Sequence, residues 1–254
     1  NVWPKLAAVG LVFFLWQVVV WTHWKPEYVL PSPPTALKKL GDLLGDGTFW
    51  KALRITLRRA AEGYGLALIF GSIVGIAVSR VRFLRLAVGS FITGLQTMPS
   101  IAWFPLAILF FKISEGAILF VVVLGAAPSI ANGVISGIDH VPPLLVRTGR
   151  VLGAKRWALY RHFIIPAAMP TFVSGLKQGW SFAWRSLMAG ELLVIIASQP
   201  SIGSRLQFAR DFNDAPQLIA YMLVIFILGV LADGVFSYAA AQMRRRRGLI
   251  DPSR

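Results

Sequence analysis

Apolar residues along this chain come in long blocks separated by short polar segments, not in strand-like alternation. Residues 6–21 are apolar apart from Gln17, and no small-x-small cleavage site follows, so a retained first membrane helix is expected. Prolines interrupt the next stretch, which predicts a wet segment over 25–54 with a short surface helix at 35–44. A second span is expected at 60–78, where Gly63, Gly65, Gly71 and Gly75 permit close helix contact. Residues 86–111 carry no charge and are long enough to cross a bilayer, but Pro99 and Pro105 predict a bend or break within them. "KISEG" predicts a tight turn, and 116–138 a fourth span containing Pro128 and Asn132. A fifth span is expected at 163–193, opened by Pro166 and Pro170. A polar loop at 197–214 and a sixth span at 215–232, with helix continuing to Met243, complete the pattern. The expectation is an all-α membrane protein with six transmembrane helices in a single domain over 1–254.

Composition agrees with this pattern: 56% of the 254 residues are hydrophobic, and the mean hydropathy is +0.65. The net charge of +15 raises nucleic acid as a partner, but the basic residues lie mainly between apolar blocks and read as membrane topology, with lipid as the surrounding partner. Six spans put both termini on one side. Arg80, Arg82 and Arg85, the bases between Arg147 and Arg161, and the "RRRR" at 244–247 make that side the cytoplasm. The absence of cysteine excludes disulfides, thiolate metal sites and cysteine nucleophiles. His23, His140 and His162 are too scattered for a metal cluster, and no H-E-x-x-H occurs, which argues against a membrane-embedded enzyme. An ion-coupled secondary transporter is the rival class. It needs carboxylates near the membrane centre and usually two related halves, whereas Glu62, Glu191 and Asp233 lie toward span ends.

Residues 146–161 hold Arg147, Arg150, Lys155, Arg156 and Arg161 between two apolar regions. One reading is an ordinary positive loop. The pattern carries more order than that: Leu144, Leu145, Val151 and Leu152 mix with Arg at helical spacing, Gly153 suits a helix C-cap, and Trp157, Leu159, Tyr160 and Phe163 start a second helical turn. "RVLGAKRWALYRHFIIPAAMP" resembles the cytoplasmic signature of permease subunits of binding-protein-dependent ABC importers, matching it at Leu152, Gly153, Ala154, Trp157, Ile164 and Pro166. Arg147, Thr148 and Gly149 stand where Glu-Ala-Ala is usual. "LPSPPTA", "QTMPSIAWFPLAILFFKISEG" and "AGELL" look like the branch importing nitrate, aliphatic sulfonates, taurine or bicarbonate.

The resemblance implies a type I ABC importer permease fold in a bacterial cytoplasmic membrane. It implies a pathway formed by two copies of the permease, two ATPase subunits that carry the ATP and Mg, and an extracytoplasmic substrate-binding protein that delivers a small anionic or zwitterionic cargo. No cofactor is implied in this chain, and its lack of G-x-x-x-x-G-K-[ST] agrees with ATP hydrolysis elsewhere. The ATPase-coupling segment is placed at 140–163, with Leu145, Arg147, Arg150, Val151, Leu152, Gly153, Ala154 and Trp157 as its contact residues.

Two sets of residues are candidates for the translocation path. At helical spacing Lys177, Trp180, Trp184, Met188 and Glu191 form one stripe, with Arg185 beside it. Ionisable groups in hydrocarbon usually face a bundle interior or a wet cavity, so a basic group here points to an anion; the other reading is ion pairing for Glu191 and snorkelling for Lys177. Gln96, Met98, Ser100 and Trp103 surround the break at Pro99, where freed backbone groups either line a path or mark a packing kink. Glu62 and Asp233 read as structural acids.

Overall fold

The structure is a computed structural model that describes residues 3–246. Arg247 and the rest of the basic tail lie outside the described residues. In chain order the helices are α1 (Trp3–Trp21), α2 (Pro33–Leu44), α3 (Gly47–Arg80), α4 (Arg82–Thr97), α5 (Phe104–Phe111), α6 (Glu115–Asp139), α7 (Pro143–Val151), α8 (Arg156–Leu159), α9 (Ile165–Leu193), α10 (Ile202–Asp211) and α11 (Ala215–Arg246). A 3-10 turn over Ser100–Trp103 precedes α5, and a π-helical turn over Tyr160–Ile164 joins α8 to α9. No strand occurs among the described residues.

The chain forms two compact units. In the first (Asn1–Leu57 with Ile195–Leu228), Leu43, Phe49, Ala52, Ile202, Ala220, Tyr221 and Val224 pack into one apolar cluster. The start of α3 is capped by Asp46, whose carboxylate accepts from the Thr48 N–H at 2.8 Å. Hydrogen bonds from the Thr48 backbone and side chain hold the Asp46 carboxyl below its ordinary pKa of 3.8. The cap's contribution is therefore complete above that ordinary value and is lost as pH falls through the lowered one.

Two expectations are corrected in this unit. The wet segment expected through residue 54 ends earlier, because α3 starts at Gly47 and buries Phe49 and Ala52 on its inner face. The polar loop expected at 197–214 contains α10. Ser201 caps that helix by accepting from Ser204 N–H at 3.3 Å, while Ser201 N–H donates back to Ser204 Oγ at 2.9 Å. Ile202, Leu206 and Ala209 give it an apolar face at i, i+4 and i+7. A serine at N3, in place of the usual Glu or Gln of a capping box, concealed the helix start.

The second unit (Arg58–Val194 with the described part of Gly229–Arg254) is built around α6 and α9. Ala117, Ile118, Val121, Val122, Ala126 and Ile130 of α6 are buried, as are Val173, Ala183 and Leu187 of α9. The two backbones nearly touch where Gly133 meets Gly175. A Cβ on Gly133 would lie 2.8 Å from Gly175 Cα, and one on Gly175 only 2.5 Å from Gly133 Cα. Gly63, Gly71 and Gly75 of α3 abut Val122, Ala127, Ile130, Ala131 and Val134 of α6 as the sequence pattern predicts; Gly65 faces open space. Pro128 lies inside α6 without ending it. α9 opens with Pro166 in its first turn, close to the expected start at residue 163, whereas Pro170 lies inside the helix and does not open it.

Among the described residues, three helices are long and apolar enough to cross a membrane: α3, α6 and the Ala215–Met243 part of α11. The α4 and Ser100–Phe111 helices would together make a fourth, bent by 104° at Met98–Pro99 as the two prolines predict. The apolar run of α1 is shorter, at Ala7–Trp21, and α9 carries Lys177, Arg185 and Glu191.

The Gly133–Gly175 contact generates a test. Gly175→Val adds side-chain carbon where only backbone opposes it and should destabilise the chain by about 1–3 kcal/mol. Gly89→Ala, where nothing lies within 4 Å, should leave stability equal or slightly raised. Denaturation in detergent micelles compares the two.

Candidate functional site

The break after α4 leaves a cavity of about 370 Å³. Gln96, Met98, Ser100 and Trp103 line it from the broken segment, and Phe182 and Arg185 line it from α9. Five of the path candidates, from two segments far apart in sequence, thus meet on one surface. Gln96 is held by an amide and hydroxyl chain: Asn132 Nδ2 donates to Gln96 Oε1 at 3.1 Å, and Gln96 Nε2 donates to Ser129 Oγ at 3.1 Å. Arg185 Nε donates to the Ser181 carbonyl at 3.1 Å, and the guanidinium stands 4.7 Å from the Phe182 ring centroid. The cation thereby keeps the terminal nitrogens of its fork outward.

The rest of the α9 stripe lies elsewhere. Lys177 is 3.1 Å from Asp233 and donates to Ser237 at 2.9 Å, in a groove between α9 and α11. Trp180 packs edge-on against Tyr64 and tilted against Phe236, while Trp184 and Met188 are buried. Glu191 is fully buried and 3.2 Å from the Arg59 guanidinium, itself 1% exposed. Arg59 also reaches Glu115 at 3.1 Å, and Arg58 pairs with Glu115 and with Glu62. The network fastens α3, the start of α6 and the end of α9 together. Glu191 thus takes the paired arrangement. Its partner was not legible in the sequence, because Arg59 falls just before the span expected to begin at residue 60; Phe49 and Ala52 at helical spacing upstream are the signal that extends α3 back over it.

The 140–163 segment, expected from the sequence to couple to the ATPase, is equally well defined. α7 starts with Pro143 in its first turn and ends in a left-handed residue, Gly153, at φ +81°. Gly153 N–H donates to Arg150 O at 3.0 Å and Ala154 N–H to Gly149 O at 2.9 Å, the paired bonds of a Schellman cap. Gly149 is buried against Leu159 and Phe163, so α7 rests on the helix that follows it. Beyond that contact the end is bare: Val151, Leu152 and Trp157 are 87%, 71% and 68% exposed. Arg147, Arg150 and Gly153 are exposed and Ala154 is half-buried. Leu145 is also half-buried, and its neighbour Leu144 is the exposed one.

Residues 67–245 match the family described as binding-protein-dependent transport system inner membrane component. The chain belongs to this family. It is the permease subunit of an ABC importer and no enzyme; ATP hydrolysis belongs to a separate subunit. A probable ABC transporter permease protein of Brucella melitensis is 30% identical over 83% of this chain and 85% of its own length. The taurine transport system permease protein TauC of Escherichia coli K12 is 27% identical over 90% of this chain and 84% of its own. The fold is that of the type I importer permeases. A chain of a bacterial alginate ABC transporter, crystallised with an alginate pentasaccharide-bound periplasmic protein, superposes with a TM-score of 0.64 at 14% identity, covering 96% of this chain and 97% of that one.

Within this permease the buried ion network should behave as a unit. Arg59→Met alone or Glu191→Leu alone strands a buried charge and should cost about 3–5 kcal/mol. The double variant should cost clearly less than the two singles combined. A double-mutant cycle on denaturation in micelles reads the coupling.

Proposed function

We propose that this permease crosses the cytoplasmic membrane six times with both termini in the cytoplasm, and that two copies form the pathway. α1, α3, the bent α4–α5 pair, α6, α9 and α11 supply the crossings. The charged positions of α9 are held by partners: Glu191 by Arg59 and Lys177 by Asp233. Such pairing lets a helix of modest apolarity cross as part of a bundle. The cargo is a small anionic or zwitterionic solute, delivered by an extracytoplasmic binding protein; similarity to a taurine permease supports this class.

α7 is the coupling helix that seats in the ATPase subunit. One observation carries this assignment: the exposed apolar end of Val151, Leu152 and Trp157 beside a rigid Schellman turn on a short helix. Apolar side chains fixed at the tip of a helix suit a groove in a protein partner, whereas an interhelical connection needs none. Arg147 and Arg150 flank the tip and would face acidic groups at the groove's rim, each exposed pair contributing about 0.2–1 kcal/mol.

Two measurements test this reading. Lys155→Cys in the naturally cysteine-free chain should react with impermeant maleimide only after the cells are opened; labelling of intact cells overturns the topology. Leu152→Asp should abolish or strongly reduce ATPase co-purification and cargo-stimulated hydrolysis. Gly153→Val should impair both while leaving the membrane-embedded helices folded, since a Cβ at a left-handed residue costs roughly 1 kcal/mol and misdirects the turn. Wild-type assembly and stimulation in both variants would reduce α7 to a positive loop.

A further inference from the structure

We propose that the cavity at the α4 break is an oxyanion-recognition site of the permease itself, in which Arg185 holds a compact, singly charged oxyanion. The proposal rests on the importer reading above and assigns part of the charge selection to this chain instead of leaving it wholly to the binding protein.

The polar side chains lining the cavity are those of Arg185, Gln96, Thr97 and Ser100. Arg185 is its one cation, and no carboxylate lines it. Among the described residues no carboxylate lies within ion-pair distance of Arg185, whereas Lys177, Arg58 and Arg59 each have one. An ionisable group in a membrane helix without a counter-ion is costly, and a bound anion supplies one. The guanidinium is anchored through Nε and the Phe182 face, which leaves its terminal nitrogens as a planar fork suited to two oxygens of one anion.

Gln96 is pre-set to donate. Its oxygen is taken by Asn132 and one amide hydrogen by Ser129, so the remaining hydrogen is a donor that cannot exchange places with the acceptor. The chain restarts at the cavity wall as the 3-10 turn over Ser100–Trp103. A further unmet donor stands directly behind the wall. Ser186 Oγ is buried without a hydrogen-bond partner, and a Cβ on cavity-lining Gly125 would collide with it. Met98, Ile101 and Trp103 make the remaining walls apolar. The volume of about 370 Å³ suits an oxyanion with at most a short apolar tail. The Lys177 groove differs in kind, because Asp233 already neutralises its cation.

Methanesulfonate is the probe. Its methyl resonance is followed by saturation-transfer NMR on the full chain with its co-purifying ATPase and no binding protein. A saturable signal is expected, displaced by nitrate and not by the neutral isostere dimethyl sulfone. Arg185→Gln should weaken binding about tenfold or more, because it removes the charge while keeping hydrogen-bonding capacity. Arg185→Lys should fall between the wild type and Arg185→Gln, because it keeps the charge but loses the planar fork, and Arg210→Gln, exposed on α10, should leave binding unchanged. The absence of a saturable signal in the wild type, wild-type affinity in Arg185→Gln, or equal displacement by dimethyl sulfone overturns the proposal. A lipid phosphate could supply the same chemistry. Binding seen in maltoside micelles and zwitterionic nanodiscs but lost in anionic-lipid nanodiscs would assign the site to a headgroup and overturn the solute assignment. The importer reading is scored separately by ATPase co-purification and by hydrolysis stimulated through the binding protein. Intact stimulation with no methanesulfonate binding therefore rejects the site alone.

Discussion

The near-contact of the α6 and α9 backbones at Gly133 and Gly175 is the constraint on which the second unit depends. Lipid tails are as apolar as leucine side chains, so membrane helices gain little by burying apolar surface against each other. They gain from dispersion, which needs close approach. Glycine at the crossing point brings whole backbones into van der Waals contact, and Ile130 and Ile118 then fill the space beside Gly179 and Gly190. Everything later placed on α9, including the cation at Arg185, inherits its position from that contact.

Charge closes what packing begins. Arg59, Glu115 and Glu191 bring together α3, the start of α6 and the end of α9, where burial alone would specify no register. The pair need not add net stability over an apolar substitute, but its partners cannot be separated without stranding a charge. Such an arrangement favours one register of α3 against α9 over its neighbours. Lys177 and Asp233 do the same between α9 and α11 with more exposed groups, where solvent screens the attraction. Arg185 is set apart from these cations by where it points: toward the α4 break and away from any acid among the described residues.

The α7 end applies the same economy to a surface. A short helix, a left-handed glycine and two backbone bonds hold Val151, Leu152 and Trp157 exposed at its tip. The π-helical turn at Tyr160–Ile164 joins that element to α9, and Arg80 stacks 4.2 Å from the Tyr160 ring centroid at the same junction. Such turns interrupt the regular ladder, and they are frequent at functional positions. Here the interruption lies between the proposed coupling helix and the helix that carries the cavity's cation.

Sequence alone determined what one-dimensional patterns encode. Block hydropathy located the apolar helices, Pro99 and Pro105 the break, Gly153 the end of α7, and the Leu-Gly-Ala run the family. Each depends on local stereochemistry or on residues close together in the chain. Periodicity could not reveal α10, because its apolar face is only three residues wide and its capping box uses an unusual serine. The tertiary structure decided which polar groups meet. Lys177, Glu191 and Arg185 share one helix and look equivalent as a stripe, yet two found partners and one found a cavity. That sorting depends on Asp233, Arg59 and Gln96, which lie 56, 132 and 89 residues away in the sequence. Ion pairing and cavity shape act across space, and only the packing of α6 against α9 sets those distances.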